Sequence, residues 1–289
     1  MRYAMYMGLF WMATFSALGQ EGGLGLRFGF DYGTAPSLGN HYLETYSYAL
    51  ASENDWSWGG TRLQLAYTHT NFSFFQVEGL TNPSDYEKLH RLDLALETTK
   101  KLGADWALFA SLTPQLASDL SGSLSEADFV WQYGFQIEKS WQKTGFRVGV
   151  ERNTRLGAPR FVPMVAFWHR VNSQLTMRLG FPESRLSYTL NERHSLSATA
   201  EQQGTFYHIG NGFSNGFGQS FEATRLVFSQ VDLSLRHHYK LQERIEVVSR
   251  IGLLATPQLE VETLSGTDLL DFEPDGSVFF SMGLTYNLN

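Results

Sequence analysis

Acid–base or metal chemistry in this 289-residue chain has to come from its eight histidines, its carboxylates and its hydroxyls, because there is no cysteine. That absence removes disulfide frameworks, thiolate metal sites and cysteine nucleophiles together. His69 and His90 fall on segments that a single hairpin would bring close, and Asp93 or Asp85 could orient one of them. With a serine or aspartate at a rim, this would be the outline of a hydrolase. His237 and His238 are adjacent on an extended segment, so they point to opposite faces and cannot hold one ion. Between Pro257 and Gly276 lie Glu260, Glu262, Asp268, Asp271, Glu273 and Asp275 with no Lys or Arg. At a cell surface such a run could gather divalent cations, but its spacing is not that of a calcium loop, and a solvated loop is the simpler reading. No phosphate-binding loop, dinucleotide fingerprint or zinc-protease helix is present. The sequence therefore assigns no catalytic residue, no cofactor and no metal ligand.

The remaining charges form a pattern. Nearly every segment alternates, with Leu24, Leu26, Phe28, Phe30 and Tyr32 standing against Arg27 and Asp31, and Leu92, Leu94 and Leu96 against Arg91, Asp93 and Glu97. Period two over such lengths predicts strands with one apolar and one polar face. The polar face carries nine arginines, which include Arg185 and Arg244, against eight acids, which include Asp31, Glu138, Glu201 and Asp232. Of these we expect Arg27, Arg62, Arg91, Asp93, Glu97, Arg147, Glu151, Arg178, Arg236, Glu246 and Arg250 to line an interior. A strongly ion-selective pore would show an excess of one sign. A balanced set predicts cross-strand pairs that fill and stiffen the interior, or a passage with a mixed lining. Ala66, Ala95, Gly134, Gly149, Gly180 and Gly252 share that face and leave local space.

Strands are predicted at 24–33, 41–51, 58–74, 88–99, 104–115, 127–139, 144–153, 161–171, 174–181, 184–190, 195–209, 220–239, 244–256 and 277–288. Between Leu179 and Leu186 the apolar face switches from odd to even positions, which places a tight hairpin at Phe181-Pro182-Glu183. Fourteen strands result, or twelve if 41–51 and a neighbour are irregular. Short turns alternate with longer links at 33–41, 75–87, 116–127, 153–160, 210–220 and 257–276. That rhythm belongs to an all-β, transmembrane, antiparallel up-and-down barrel with short turns on one side and long loops on the other. Closure pairs every backbone amide at membrane depth. Aromatic girdles are expected from Trp56, Trp58, Trp141 and Trp168 at one end and from Tyr32, Phe72, Phe74, Phe75, Tyr207 and Phe279 at the other.

Arg2, the apolar stretch Tyr3 to Phe15 and the small residues of Ala17-Leu18-Gly19 predict a secretory signal at 1–19, leaving one barrel domain at 20–289. No lipid anchor can form without a cysteine. The 22 Lys and Arg against 29 Asp and Glu argue against nucleic acid. At 43% hydrophobic but 18% charged, the chain has more apolar side chains than one soluble core would use.

Leu179-Gly180-Phe181-Pro182, Leu186-Ser187-Tyr188, the Leu190-Asn191-Glu192-Arg193 turn, Leu196 and the stretch from Gly204 to Tyr207 resemble a family of bacterial outer-membrane β-barrels of unknown function, found mostly in the Bacteroidetes group. Ser281, Gly283, Tyr286 and Leu288 are similar to the C-terminal signal by which outer-membrane barrels are recognised for assembly, although the chain ends in Asn289 and not phenylalanine. The resemblance implies the outer membrane of a Gram-negative bacterium, with membrane lipid, lipopolysaccharide and the barrel-assembly machinery as partners. The expected role is a narrow porin-like channel passing a small solute, or a structural envelope protein. A soluble periplasmic or secreted β-protein that binds a partner and a barrel-embedded hydrolase are the alternatives.

Overall fold

The computed structural model describes residues 25–38, 41–56, 59–74, 87–210, 213–214, 220–221, 223–273 and 275–287. The proposed signal at 1–19 lies outside them. In chain order the strands are β1 (Gly25–Leu38), β2 (His41–Trp56), β3 (Gly59–Phe74), β4 (Lys88–Lys101), β5 (Trp106–Ser118), β6 (Phe129–Trp141), β7 (Thr144–Asn153), β8 (Arg160–Arg170) and β9 (Leu175–Phe181). They continue with β10 (Glu183–Thr189), β11 (His194–Ile209), β12 (Phe213–Ser214), β13 (Ser220–Phe221), β14 (Thr224–Gln242), β15 (Ile245–Thr263), β16 (Asp268–Phe272) and β17 (Ser277–Asn287). A 3-10 turn spans Glu126–Asp128. Among the described residues no helix is long and apolar enough to cross a membrane.

Fourteen of the strands close into one antiparallel barrel. Neighbours in sequence pair from β1 to β11, β11 pairs with β14, β14 with β15, β15 with β17, and β17 returns to β1. β12, β13 and β16 are short additions to the loops. Residue alternation explains the closure. Along β17, Val278, Phe280, Met282 and Leu284 are exposed, while Ser277, Phe279, Ser281 and Gly283 are buried. The exposed apolar set goes right round the ring, as at Leu94, Phe135, Leu235 and Ile251.

The barrel wall is uneven in height. β9 and β10 have 7 residues each, against 19 in β14 and in β15. β9 accompanies β8 only from Val165 to Arg170, and β10 accompanies β11 only as far as Glu201. Beyond that point β11 leans across to β5, where His208 and Ser118 form a parallel bridge. β14 stays paired with β11 throughout, and β15 follows across a bulge. Ser229 faces Gln258 while Val231 faces Ala255, which leaves Thr256 and Pro257 opposite Gln230, and Thr256 adopts φ 47°. The extra residue flips the parity of β15, so Leu259 and Val261 turn inward above it, whereas Leu254 is the inward residue below.

These turned-in ends form the main apolar core, at the long-loop mouth of the barrel. Leu89, Ala117, Tyr207, Ile209, Leu226, Phe228, Leu254, Leu259, Val261 and Phe279 pack together there. The girdle reading of Tyr207 and Phe279 is thereby overturned. Both are buried, because each shares the inward parity of its strand with a polar neighbour, Glu201 or Ser281. Trp168 also differs, lying on the inner face across Gly145, where any side chain would collide with its indole. The expected long link at 33–41 is instead a continuation of β1 and β2, with Leu38 paired to His41. Trp56, Trp58, Phe72, Phe74 and Phe75 have side chains outside the described set.

Candidate functional site: a polar cavity beneath an apolar mouth

Beneath the apolar mouth the barrel encloses a cavity of about 600 Å³. Its β2 to β6 wall is built from short hydroxyl and amide side chains at inward positions, among them Thr45, Ser47, Gln64, Thr68, Ser111, Thr113 and Gln132, with Ala66 and Ala95 leaving the space. Leu89, Tyr207, Leu226 and Phe228 form its apolar roof.

The charges in and around the cavity are largely paired. Arg91 Nε lies 2.9 Å from Asp93, and the Gln115 amide donates to the same carboxylate at 2.6 Å. Glu201 accepts from Arg236 at 3.1 Å and from Arg155 at 3.5 Å. Asp232, which is fully buried, faces Arg250 at 3.2 Å, and that guanidinium also lies over the Phe279 ring. Glu151 accepts from Gln136 and Asn153. Farther along the interior, Arg147 pairs with Glu138 at 2.7 Å and covers the Phe109 ring, Arg62 stands 4.0 Å from Glu97, and Glu246 meets His238 at 2.6 Å. Low-dielectric surroundings strengthen the attraction within each of these pairs.

Arg178 sits directly across from Arg185, which pairs with Glu183 at 2.6 Å. The two arginines share a small second cavity with Trp168, about 160 Å³ in volume. Arg27 pairs through its backbone with Asn287 and Ala51, and its side chain lies outside the described set. Ser281 and Gly283 are inward on β17 and Tyr286 is partly buried near its end, while Leu288 lies outside the described residues.

Among the described residues the histidine pair singled out from the sequence does not meet its expected aspartate. His69 and His90 do meet, with ring centroids 4.8 Å apart, and Tyr67 shares a 2.8 Å hydrogen bond with His90 Nδ1. They lie on the outer face beside exposed Tyr67 and Leu92, whereas Asp93 faces the cavity on the other side of the wall. Asp85 lies outside the described residues. His237 bonds His194 at 3.0 Å and His238 bonds Glu246 on the opposite face. In the acidic segment Glu260 and Glu262, on β15 beyond its bulge, and Asp268, at the start of β16, offer oxygens within 4.8 Å of one another. Burial, then the neighbouring acids, push the Glu260 and Glu262 carboxyls above the ordinary range.

Two contacts between distant segments carry no local sequence signal. His208 on β11 lies 2.8 Å from Asp128 in the β5–β6 loop, both nearly inaccessible. Burial alone would raise the Asp128 carboxyl, yet it is held below the ordinary aspartate value by hydrogen bonds from Ser118, the Ser125 backbone, His208 and the Ser125 hydroxyl. The second contact is the β7–β8 loop, which folds onto β11. Arg155 reaches Glu201, the Gln202 amide donates to the Arg155 carbonyl at 3.3 Å, and Gly204 lies so close to the Thr154 carbonyl that only glycine fits.

Apolar outside, paired charges and hydroxyls inside, and strand pairing that returns from β17 to β1 define a closed fourteen-stranded antiparallel barrel holding a polar cavity. Residues 53–287 match the family described as Domain of unknown function (DUF6268), and the chain belongs to that family. No curated protein is similar in sequence. Among solved structures the chain is similar to the KdgM porin, at 5% identity over 91% of this chain and 99% of that one, with a TM-score of 0.39. It is similar also to the toluene transporter TodX of Pseudomonas putida, at 8% identity over 94% and 90% of the two chains and a TM-score of 0.42. The translocator domain of the autotransporter NalP from Neisseria meningitidis matches at 12% identity over 98% and 95%, with a TM-score of 0.39.

Proposed function

We propose that this protein is an integral outer-membrane barrel of a Gram-negative bacterium, of the Bacteroidetes type that the central motif resembles, and that it acts as a narrow porin-like channel for small, uncharged polar solutes. Membrane placement is supported by the continuous exposed apolar surface, with Leu235 at 63% and Ile251 at 55% exposure, on a barrel whose opposite face is polar. At the short-turn end Lys139 lies 5.1 Å from the Trp106 ring and 5.3 Å from that of Trp141, and both indoles are exposed. Amphipathic rings beside a cation suit a headgroup zone. Lipid and lipopolysaccharide surround the barrel in this reading, and the C-terminal strand carries the signal for the barrel-assembly machinery.

The observation that carries the channel reading is the 600 Å³ cavity lined by hydroxyls, amides and paired charges. Pairing leaves no net sign to hold an ion, so sugars, amides and small alcohols are the suited cargo. The apolar mouth favours a second reading, a structural envelope protein without transport. Swelling of proteoliposomes in small sugars and amides, with single-channel recording in planar bilayers, separates the two. Swelling that falls off steeply with solute size, with small currents of weak ion preference, is expected. Folded protein giving neither swelling nor current would leave the structural role.

A further inference from the structure

We propose that the β7–β8 loop, Thr154 to Ala158, closes a lateral portal through which small neutral amphipathic molecules pass between the cavity and the surrounding lipid. The portal rests on the membrane placement proposed above, and it is a route separate from the barrel axis. Its frame is the step in the wall. Above the β9–β10 hairpin, Arg160 to Met164 of β8 run past the end of β9, and on β11 the open edge is the stretch from Gln203 to Tyr207, between the Gln202 N–H bond to the Pro182 carbonyl and the His208 bridge to β5. On the outer face, Phe161, at 63% exposure, and Pro163 carry the apolar row of β8 past the end of β9. The break therefore opens beside apolar surface and not above it.

Unpaired strand edges at lipid depth are costly, so something must cover them. The loop does so with few bonds. Arg155 to Glu201 is 3.5 Å and the Gln202 amide to the Arg155 carbonyl is 3.3 Å, both at the weak end of hydrogen bonding. Arg160 caps the Leu156 carbonyl at 2.6 Å, and Gly157, at φ +84°, rests against Val227. No strand ladder joins the loop to β11. On its inner side Asn153, Thr154 and Arg155 are themselves cavity wall, facing Gly204 and Thr205. Displacing these few residues would join the cavity to the outside of the barrel. Apolar Phe161 and Pro163 flank the outside of the gap while hydroxyls and paired charges line the inside, which selects a compact neutral molecule with one polar end. The cavity volume lies within the range of ordinary small-molecule sites.

Because the chain has no cysteine, a single thiol can report on access. A Thr205→Cys variant in proteoliposomes is treated either with a long-chain N-alkylmaleimide that resides in lipid or with a sulfonated maleimide confined to water. A Thr113→Cys variant on the far cavity wall is the second reporter should the first fail to fold, with heat-modifiable gel migration as the folding check. Labelling by the lipid-borne reagent is expected, and adding Arg155→Ala and Gln202→Ala should speed it by up to about tenfold, the shift that follows from losing two hydrogen bonds at the weak end of the range. Benzyl alcohol should slow the reaction by competition. Labelling from water alone, unchanged by the two alanines, would overturn the portal. Proteoliposome swelling reports on the axial channel independently, so the two readings fail separately.

Discussion

Replacing Tyr207 with alanine tests whether the mouth of the barrel is a packed core or an incidental contact. The ring is buried between Leu226, Phe228 and Leu89, and its hydroxyl is 3.4 Å from that of Thr70, so nearly all of its worth is apolar burial. An aromatic side chain buries about 150 to 250 Å², which at about 25 cal/mol per Å² gives about 4 to 6 kcal/mol. Residual burial in the denatured chain lowers this to about 3 to 5 kcal/mol, the usual range for removing a core ring. Tyr207→Phe keeps the ring and loses only a long hydrogen bond, so it should cost less than about 1 kcal/mol. Guanidinium unfolding in detergent, followed by tryptophan fluorescence, measures both. Since Tyr207 also roofs the cavity, the alanine variant should conduct more than the native protein while the phenylalanine variant should not. An alanine variant within about 1 kcal/mol of native stability and with unchanged conductance would refute the packed mouth.

Arginine at exposed Leu94, Phe135 or Leu284 should destabilise the folded barrel in vesicles by roughly 2 to 4 kcal/mol if these positions face midplane lipid, and normal heat-modifiable folding of all three would contradict that placement. Asp128, whose carboxyl is held below its ordinary value, contributes stability above the ordinary aspartate pKa that is lost as pH falls through its depressed value. Asp128→Asn should remove that acid-side loss and expose the β5–β6 loop to protease at neutral pH. Glu260 and Glu262 have the opposite sign. Their raised values mean that ionisation works against the fold, so protection of β16 from hydrogen exchange should weaken as pH rises through those values and should flatten in Glu262→Gln. Arg250→Gln leaves buried Asp232 without its nearest cation, and reversal potentials in a salt gradient should move toward cation preference.

Strand number and facing are written in the alternation, and the parity switch around Pro182 was enough to separate β9 from β10. Some interior contacts are local and can be worked out. The Trp141–Thr144 turn fixes the register that sets Glu138 against Arg147, and Arg91 and Asp93 are neighbours on one face of one strand. Arg250 meets Asp232 only after the irregularity between Lys240 and Gln242 displaces the β14–β15 register by one residue, and no residue there announces the shift. The inward turn of Tyr207 and Phe279 was available from parity with Glu201 and Ser281, but an aromatic at a strand end reads equally as a girdle residue. His208 and Asp128 belong to segments 80 residues apart in sequence, and their meeting depends on β11 leaning across to β5. A lone histidine and a capping aspartate give no hint of that geometry.

The short β9–β10 hairpin also acts on the membrane. Seven residues at about 3.3 Å each, tilted by about 40°, reach roughly 18 Å along the barrel axis, against an apolar band of about 25 Å in barrels of this kind. On that flank the hydrocarbon layer is thicker than the hairpin is tall. Such a mismatch is relieved by thinning the bilayer at a modest cost per ångström. The barrel would carry a shallow dent in the leaflet along β9 and β10 that stops short of the hairpin top, because exposed Phe161 and Pro163 of β8 keep apolar surface above it in hydrocarbon. Lipids with short or disordered chains would gather there, so the chain length of the host membrane should tune how firmly this one flank is held.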